Sequence, residues 1–474
     1  MGKEYDLIII GAGPGGYVAA KKAAKLGMSV VIIDKGDVGG TCINRGCIPT
    51  KALLHTATLY RDMVECGKFG LFAEKVGFDL RKIYEYKDLS TAKMREELER
   101  EFRELGIVSV RGTAAIQSDK KVRVTLSEDR TEYFSGKYIL IATGAKARMV
   151  DIPGMELSGV MTSEELLTAD RSRYRHLLIL GGGVIGIELA TVFNALGGEV
   201  TIVEVSDRLL PNMDREFSDT LEEILRNRGI VIHKESILEE VAKKGNGLKC
   251  RYVCHGKNQE AEVDAVLVSV GRTANTEGLF DPDVPIRMEN GRIVVDDFFE
   301  TSISGVYAVG DVIGGIQLAH VASAQATYVV ERMNDVPASV IVEMVPSCLF
   351  VPISIVPSCL YTDPEIASVG LSEEEARKKG VPIRCGRYVM DGNGQAIISK
   401  EDRGVIKILF AADSDVILGA QLMCPRATDM IGELATAIAN GLTSSQLMYA
   451  MRAHPTYNEA ISCAVENSRE KMHR

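Results

Sequence analysis

The chain has 474 residues, of which 46% are hydrophobic and 25% charged. This composition is typical of a globular protein with several domains, and no run reaches the ~20 uncharged apolar residues of a membrane-spanning helix. The formal net charge of −10 argues against a nucleic-acid partner. The first six residues lack the charged and then apolar layout of a signal peptide, so we expect a cytoplasmic protein.

A predicted strand at residues 5–10 leads into a glycine-rich turn, a helix and a second strand at 30–34. In such a unit the first glycine permits the tight turn, the second lets the backbone approach a pyrophosphate, and the third allows close helix–strand packing. The helix N-terminus offers N–H groups to phosphates, and the acid after the second strand accepts hydrogen bonds from a ribose diol. These residues, the first fingerprint, are Gly11, Gly13, Gly16 and Asp34.

The next segment, residues 40–51, carries Cys42 and Cys47. The ring that such a pair closes is too small to stabilise the fold much, so in a reducing compartment the pair is typical of a redox couple. Apolar residues after Pro49 predict a helix. Cys47 would then lie at or near a helix N-terminus, where a thiolate is stabilised.

Residues 87–105 predict a charged, exposed helix. The scattered cysteines are expected to be reduced and mostly buried as small apolar residues. Cys250 and Cys254 have the spacing of half a metal site, but no second Cys/His pair follows suitably, so no metal is expected. The scattered cysteines are Cys66, Cys250, Cys254, Cys385, Cys424 and Cys463.

The strand–turn–helix–strand pattern recurs at a spacing of 170 residues, as Gly181 against Gly11 shows. Two such sites imply two dinucleotides. The second acid, Glu204, would repel a 2′-phosphate and so favours NAD over NADP, although Arg208 nearby is a weak counterargument. This second fingerprint consists of Gly181, Gly183, Gly186 and Glu204.

Near the C-terminus, His454 is followed five residues later by Glu459. Only a thiolate attacks a disulfide, so thiol exchange needs a proton acceptor. A carboxylate that binds one ring nitrogen fixes the tautomer and leaves the other nitrogen as a base.

Further motifs lie at residues 142–144, 183–188, 270–272, 309–311, 318–320, 361–365 and 454–456. With them, nearly the whole chain resembles the FAD-dependent pyridine nucleotide–disulfide oxidoreductases. Residues 48–51 and 318–320 are most similar to the branch that oxidises dihydrolipoamide. The resemblance implies an α/β fold with two Rossmann-like dinucleotide-binding domains, for FAD and NAD, and a C-terminal α+β dimerisation domain. The implied segments are 1–150 (FAD-binding, first part), 151–275 (NAD-binding), 276–344 (return to the FAD domain) and 345–474 (dimerisation and interface).

The resemblance also implies residue roles. Cys47 would face the flavin as the charge-transfer thiolate, and Cys42 would exchange with substrate. Lys51 and Glu188 would pair near the flavin N5, and His454 with Glu459 would serve the partner subunit's disulfide. The implied FAD-binding residues are Gly11, Gly13, Gly16, Asp34, Gly40, Thr41, Lys51, Ala114, Thr143, Gly144, Asp311, Leu318, Ala319 and His320. The implied NAD-binding residues are Gly181, Gly183, Gly186, Glu204, Ile237 and Gly271.

The implied reaction is NAD-dependent oxidation of protein-bound dihydrolipoamide to lipoamide by a homodimer. The partner would be a lipoyl-bearing protein of a 2-oxo acid dehydrogenase or glycine cleavage system. One alternative is an NADPH-dependent reductase of glutathione, trypanothione or mercuric ion, which Glu204 disfavours. Another is a flavoprotein kept for binding or assembly, which the intact set of Cys42, Cys47, Lys51, His454 and Glu459 disfavours.

One segment departs from the family pattern. Residues 345–350 recur almost unchanged as residues 356–361, whereas relatives carry one such copy. The added residues are apolar and predict an extra strand or a bulging loop.

Overall fold

The computed structural model describes residues 3–128, 130–168, 174–340, 345–346 and 352–470. The chain divides into two compact units. The first unit comprises Met1–Tyr174, Val241–Leu248 and Asp264–Val342. The second unit comprises Arg175–Glu240, Lys249–Val263 and Glu343–Arg474. This grouping puts most of the predicted NAD-binding segment with the predicted interface segment; the four segment boundaries stay a prediction.

The first unit is built around a seven-stranded sheet whose central strand, Lys3–Ile10, is parallel to both of its neighbours. Alternate residues of this strand enter two different apolar clusters, so the sheet is buried on both faces. The strands, in spatial order, are Val108–Arg111, Val30–Asp34, Lys3–Ile10, Arg130–Ile141, Val122–Ser127 and Thr113–Ile116, with Val306–Ala308 also pairing with Arg130–Ile141.

Helices and short strand pairs complete the first unit. The helices are Pro14–Lys25, Gly40–Arg45, Cys47–Val64, Leu80–Glu104, Ser163–Thr168 and Ala319–Met333, with 3-10 turns at Cys66–Phe69 and Gly310–Ile313. The strand pairs are Ala145–Ala147 with Arg272–Ala274, Val160–Thr162 with Ala265–Val268, and Met288–Glu289 with Arg292–Ile293.

The predicted charged helix is Leu80–Glu104, seven residues longer at its start, and the expectation that it is simply exposed was wrong. It is amphipathic, and Ile83, Leu98 and Phe102 are buried. Lys87 is also buried, at 4% exposure, and its Nζ donates to the Leu167 carbonyl at 2.6 Å. The carbonyl lies in the last turn of a helix, where a cation is favoured.

In the second unit, the strands His176–Leu180, Glu199–Val203 and Val231–His233 are parallel, with His176–Leu180 and Val231–His233 on either side of Glu199–Val203. Helices Val184–Ala195 and Arg215–Asn227 follow the first two strands. Three further strands lie where the unit boundary crosses the chain: Ser236–Lys244, Gly247–Cys254 and Lys257–Val263.

The C-terminal part of the second unit is a five-stranded antiparallel sheet covered by helices. Its strands, in spatial order, are Ser358–Leu360, Ile366–Gly370, Ile417–Met423, Val405–Ala411 and Ile383–Val389. Its helices are Glu373–Lys378, Gly394–Ser399, Ala427–Ala439, Ser444–Met448 and Glu459–Glu470, with a 3-10 turn at Met390–Gly392. These elements confirm the predicted α/β fold class.

The first copy of the repeat lies partly outside the described residues, at 347–350. Its described part, Val345–Pro346, forms a two-stranded antiparallel pair with Pro352–Ile353. The second copy supplies Ser358–Leu360, which pairs with Ile366–Gly370 in the five-stranded sheet.

Candidate active site

The first fingerprint forms a turn that only glycine can occupy. Gly11 has a φ of +104°, and a Cβ there would lie 2.3 Å from the Ala142 carbonyl oxygen. A Cβ on Gly16 would lie 1.8 Å from the Gly11 oxygen. Gly13 caps helix Pro14–Lys25 without a side-chain hydrogen bond, so the first N–H groups of the helix face an incoming acceptor. This geometry fits a pyrophosphate.

Asp34 is held beside that turn by two backbone groups. Its Oδ2 accepts from Ala12 N and its Oδ1 from Gly36 N, both at 2.7 Å. A carboxylate has about four acceptor positions, so two stay available for a ribose diol. Gly112 N donates to the Asp34 carbonyl at 2.8 Å, which brings the strand of Ala114 alongside, as expected for the adenosine end of FAD.

A second uncapped helix N-terminus lies in the same unit. Leu318 caps helix Ala319–Met333 without a side-chain hydrogen bond, and this helix packs against Pro14–Lys25. Nearby, Asp311 lies in the turn Gly310–Ile313, with Arg272 Nε 3.8 Å from its Oδ2. Burial raises the pKa of Asp311, and Arg272 opposes this shift. The predicted His320 is in the first turn of the helix.

Two residues with a structural role at this site received no role from the sequence. Asn275 Nδ2 donates to the Thr143 carbonyl at 3.0 Å, and Thr143 Oγ1 donates to the Asn275 carbonyl at 2.8 Å. Arg272 lies within 3.5 Å of Glu164 as well as near Asp311. Both follow Gly271, but only the pairing of Ala145–Ala147 with Arg272–Ala274 brings them to Thr143 and Gly144.

The turn at Gly40, which leads into the helix that contains Cys42, packs directly against the first fingerprint. Gly40 has a φ of +58°, and a Cβ there would lie 2.6 Å from Gly13 Cα. The turn continues as helix Gly40–Arg45, which contains Thr41 and Cys42. Asn44 secures it through its Nδ2, which donates to the carbonyls of Val38 at 2.9 Å and Gly40 at 3.0 Å. This role of Asn44, holding the turn through two backbone carbonyls, was not predicted from the sequence.

Helix Cys47–Val64 begins at Cys47, which confirms the prediction of a cysteine at a helix N-terminus. Cys47 is exposed and Cys42 partly buried. A hydrogen bond to Cys47 and burial raise the pKa of Cys42, while Lys51 opposes the shift. Cys42 therefore keeps its proton when Cys47 carries the negative charge.

Lys51 and Glu188 lie in different units, and their pairing stays a prediction. Lys51 is one turn after Cys47 in the same helix. Glu188 is 2% exposed in helix Val184–Ala195, and its Oε1 accepts from Tyr361 N at 3.2 Å. A carboxylate this buried needs such partners.

The second fingerprint repeats the geometry of the first. Gly181 has a φ of +108°, and Gly183 caps helix Val184–Ala195 without a side-chain hydrogen bond. Glu204 accepts from Gly182 N at 2.6 Å and Ser206 N at 2.7 Å. The expected NAD contacts Ile237, which is 60% exposed, and Gly271, with a φ of +110°, lie on strand Ser236–Lys244 and before strand Arg272–Ala274.

Arg208 does not act as a free cation beside Glu204. Its Nη1 lies 3.3 Å from Glu374, and its Nη2 donates to the Pro211 carbonyl at 2.7 Å. A 2′-phosphate would have to compete with these partners, so the weak argument for NADP becomes weaker still.

The histidine and carboxylate predicted as a base are in contact. His454 Nδ1 lies 2.9 Å from Glu459 Oε1, and Glu459 Oε2 accepts from Thr456 N at 2.9 Å. The bonds from Thr456 and His454 lower the pKa of Glu459, so this carboxylate stays ionised. The imidazole is 78% exposed, which leaves Nε2 accessible to a substrate thiol.

The other cysteines are less uniformly buried than expected. Cys250 and Cys424 are buried, and burial raises the pKa of each thiol to about 12. Cys66, Cys254, Cys385 and Cys463 are only partly buried. Among the described residues, no three His, Cys, Asp or Glu side chains form a metal-binding group.

Fold and site together define a flavin disulfide oxidoreductase with a second site for NAD. The family model for pyridine nucleotide-disulphide oxidoreductases matches residues 5–326, and the model for the dimerisation domain of the same family matches residues 356–465. The chain belongs to this family. Its cofactors are FAD and NAD, and its dimerisation domain supports a homodimer.

Curated relatives extend the similarity over the whole length. The chain is 35% identical to dihydrolipoyl dehydrogenase of Bacillus subtilis, covering 97% of both chains, and 34% identical to the mitochondrial dihydrolipoyl dehydrogenase of Dictyostelium discoideum, covering 99% and 95%. Among solved structures, it is similar to LpdA of Mycobacterium tuberculosis, with 25% identity, a TM-score of 0.89 and coverage of 98% and 100%. It is also similar to the HOCl-induced flavoprotein disulfide reductase RclA of Escherichia coli, with 28% identity, a TM-score of 0.86 and coverage of 98% and 99%.

No helix within the described part of the chain is both long and apolar enough to cross a membrane.

Proposed function

We propose that the protein oxidises dihydrolipoamide on a lipoyl-bearing protein to lipoamide, through Cys42, Cys47 and FAD, with NAD⁺ as the final acceptor. The observation that carries this proposal is the asymmetry of the cysteine pair beside the first fingerprint. Cys47 is exposed at a helix N-terminus, whereas Cys42 is partly buried, and its hydrogen bond to Cys47 together with burial raises its pKa. The full-length similarity to dihydrolipoyl dehydrogenases supports the substrate.

The exchange of thiols starts from the Cys42–Cys47 disulfide. His454 takes the proton of one substrate thiol, and the thiolate attacks Cys42 Sγ, so that a mixed disulfide forms and Cys47 leaves as a thiolate. The second substrate thiol then attacks the substrate sulfur of the mixed disulfide and gives its proton to the departing Cys42 sulfur, which releases lipoamide. Cys42 ends as a thiol, Cys47 as a thiolate, and His454 holds the proton of the first substrate thiol. The two electrons of the substrate dithiol now reside on the cysteines.

The remaining step is the transfer of these two electrons from the cysteines to NAD⁺. When bound, FAD would supply the two-electron carrier between the reduced cysteine pair and NAD⁺. Lys51 and Glu188 would form the pair beside the flavin, and Asp311 would hold the ribityl chain. Glu459 fixes His454 by binding Nδ1, so that Nε2 handles the proton.

The base is proposed to act on the disulfide of the partner subunit. Its exposure on the single chain and the match to the family's dimerisation domain support this arrangement. The proposed partners are the lipoyl domains of 2-oxo acid dehydrogenase or glycine cleavage systems. The proposed setting is the cytoplasm, where buried thiols such as those of Cys250 and Cys424 stay reduced.

The test is steady-state turnover of the FAD-loaded protein with dihydrolipoamide, comparing NAD⁺ with NADP⁺. We expect NAD⁺-dependent turnover, and we expect Cys42→Ser and Cys47→Ser each to abolish it while FAD stays bound. Cys66→Ser is the matched control, since this cysteine lies in the same unit but outside the pair. Full activity in either variant of the pair would contradict the mechanism.

A reductase of another disulfide or of a metal ion is the second candidate. One solved structure of RclA is a Cu(II) complex, and the thiols of Cys42 and Cys47 are ligands that soft metal ions prefer. If NADH reduces the flavin but dihydrolipoamide gives no turnover, oxidised glutathione, Hg²⁺ and Cu²⁺ are the next acceptors to assay.

A further inference from the structure

A buried arginine lies two residues before the proposed base. The base loop, residues 449–458, connects helix Ser444–Met448 to helix Glu459–Glu470. Within it, Met451 and His454 are exposed, whereas the side chain of Arg452 is 5% exposed. The imidazole of His454 therefore faces solvent, whereas the side chain of Arg452 points into the protein interior and holds the loop there.

The guanidinium of Arg452 ties together three separate elements. Its Nη1 donates to Ser462 Oγ at 2.7 Å, in the helix that begins with Glu459, and to the Ala450 carbonyl at 3.3 Å. Its Nη2 is paired with Glu433, in helix Ala427–Ala439, and donates to the Leu447 carbonyl at 3.4 Å. Both ends of the base loop are thus fixed through one side chain.

Glu433 extends this anchor to the far end of the loop. Its Oε2 accepts from Asn458 Nδ2 at 3.3 Å, directly before Glu459. Arg452 and Asn458, which flank His454, therefore share one carboxylate.

Packing the base loop through Arg452 carries a free-energy cost. Arg452 Nε is buried and has no hydrogen-bond partner among the described residues. An unpaired buried donor costs free energy, and an apolar side chain of similar volume would avoid that cost. What sets Arg452 apart from other buried arginines is that its guanidinium binds the elements on both sides of the base loop.

We propose that Arg452, acting through Glu433, is a positioning residue that fixes the base loop so that His454 Nε2 reaches the substrate thiol. This inference rests on the proposed function, because the reaction that it affects is the proposed thiol exchange with dihydrolipoamide. A displacement of about 1 Å at a reacting group can cost up to about 100-fold in rate. Loss of the anchor therefore affects thiol exchange but leaves the reaction between NADH and the flavin unchanged.

The test compares Arg452→Met with a matched control, Arg384→Met. Arg384 lies in the same C-terminal part, is paired with Asp415, donates to the Ser468 carbonyl and also has a buried Nε without a partner. We expect Arg452→Met to lower kcat with dihydrolipoamide at least about tenfold, while KM for NAD⁺ and flavin reduction by NADH stay unchanged. Arg384→Met is expected to lower the unfolding temperature similarly but to keep kcat within about twofold. Arg452→Lys keeps the pairing with Glu433 alone, so we expect an intermediate kcat.

A second measurement does not depend on the substrate. In protein labelled at histidine Cε1, the signal of His454, assigned with His454→Gln, should be single and sharp in the wild type and in Arg384→Met. It should broaden or split in Arg452→Met, because the ring samples several positions. If the wild type fails to oxidise dihydrolipoamide but the His454 signal still broadens, the proposed function is wrong and the positioning role stands. If the wild type turns over and Arg452→Met matches Arg384→Met in both kcat and His454 signal, the positioning role is overturned.

Discussion

The two fingerprints are alike in their turns and different in what surrounds them. Gly11 and Gly181 have φ values of +104° and +108°, and Asp34 and Glu204 each accept from the residue after the first glycine. The first turn is enclosed, because Gly40 packs on Gly13 and a Cβ on Gly15 would lie 3.3 Å from Val309. The second turn opens onto Val184 and Ile185, which are exposed at the start of its helix.

The comparison explains how one motif serves two kinds of ligand. An enclosed site releases a ligand only when the surrounding loops move, which suits a cofactor that stays bound. An open site lets a ligand exchange in every turnover, which suits NAD⁺. The difference arises from the neighbours of each turn, since the turns themselves match.

The largest expected effect is at the enclosed turn. In Gly16→Ala the new Cβ would lie 1.8 Å from the Gly11 oxygen, so we expect the purified protein to lose FAD almost completely. The measurement is flavin absorbance after desalting. The control in the open turn is Gly183→Ala, where a Cβ meets nothing within 4 Å. If Gly16→Ala retains FAD as well as Gly183→Ala does, the turn is not the FAD site.

The next largest effect is expected in the second unit, at Lys407. This buried lysine lies 3.1 Å from Asp214 and 2.7 Å from Glu216, which join the start of helix Arg215–Asn227 to strand Val405–Ala411. Although burial opposes it, these carboxylates raise the pKa of Lys407. Lys407→Met would leave Asp214 as an unpaired buried charge, at a cost of about 3 kcal/mol in the free energy of unfolding.

Chemical denaturation followed by intrinsic fluorescence and by bound flavin measures this cost. We expect KM for NAD⁺ to rise while the FAD content stays at the wild-type value. A loss of FAD with an unchanged KM for NAD⁺ would reverse the assignment of the two sites.

A smaller effect is expected when Asp34 or Glu204, the acids of the two fingerprints, is replaced by its amide. Each carboxylate oxygen accepts from a backbone N–H, and an amide puts an N–H₂ group against one of these donors. For Glu204→Gln we expect KM for NAD⁺ to rise about tenfold with FAD retained, as for the loss of one charge-assisted hydrogen bond. For Asp34→Asn we expect partial loss of FAD with an unchanged KM for NAD⁺. Steady-state kinetics and the FAD content of each variant test the pair, and an exchanged outcome would invert the comparison.

The smallest expected effect is a pH dependence at Asp311. Because the pKa of Asp311 is raised above 3.8 in the folded chain, the native state holds its proton to a higher pH than the unfolded state does. Stability therefore falls as pH rises through the interval between these two values. In the FAD-free protein, Asp311→Asn removes this loss, so its stability should exceed that of the wild type by up to about 1 kcal/mol at pH 7 and by less at pH 4. Urea unfolding at both pH values measures the difference; a less stable variant at pH 7 would show that Arg272 outweighs burial.

Much of the fold and of the candidate site could be predicted from local sequence. The strands at 30–34 and 176–180, both glycine turns and the helix that begins at Cys47 follow from patterns within about 30 residues. Lys87 could not be predicted, because an exposed and a buried lysine look the same in a charged helix and only the Leu167 carbonyl distinguishes them. Arg208 was ambiguous for the same reason, since its partner Glu374 is 166 residues away.

The sequence alone therefore specified the local chemistry. This comprises the turns that tolerate only glycine, the acids that accept hydrogen bonds from the backbone of those turns, the cysteine pair, and the histidine with its carboxylate. Steric and hydrogen-bonding rules act over a few residues, so a linear pattern is enough to express them. Tertiary structure alone decided which turn is enclosed, which cations are already paired and how Arg452 anchors the base loop. Those outcomes depend on burial and on charges brought together from distant segments, and the free energy of a buried group is set by the neighbours that the fold supplies.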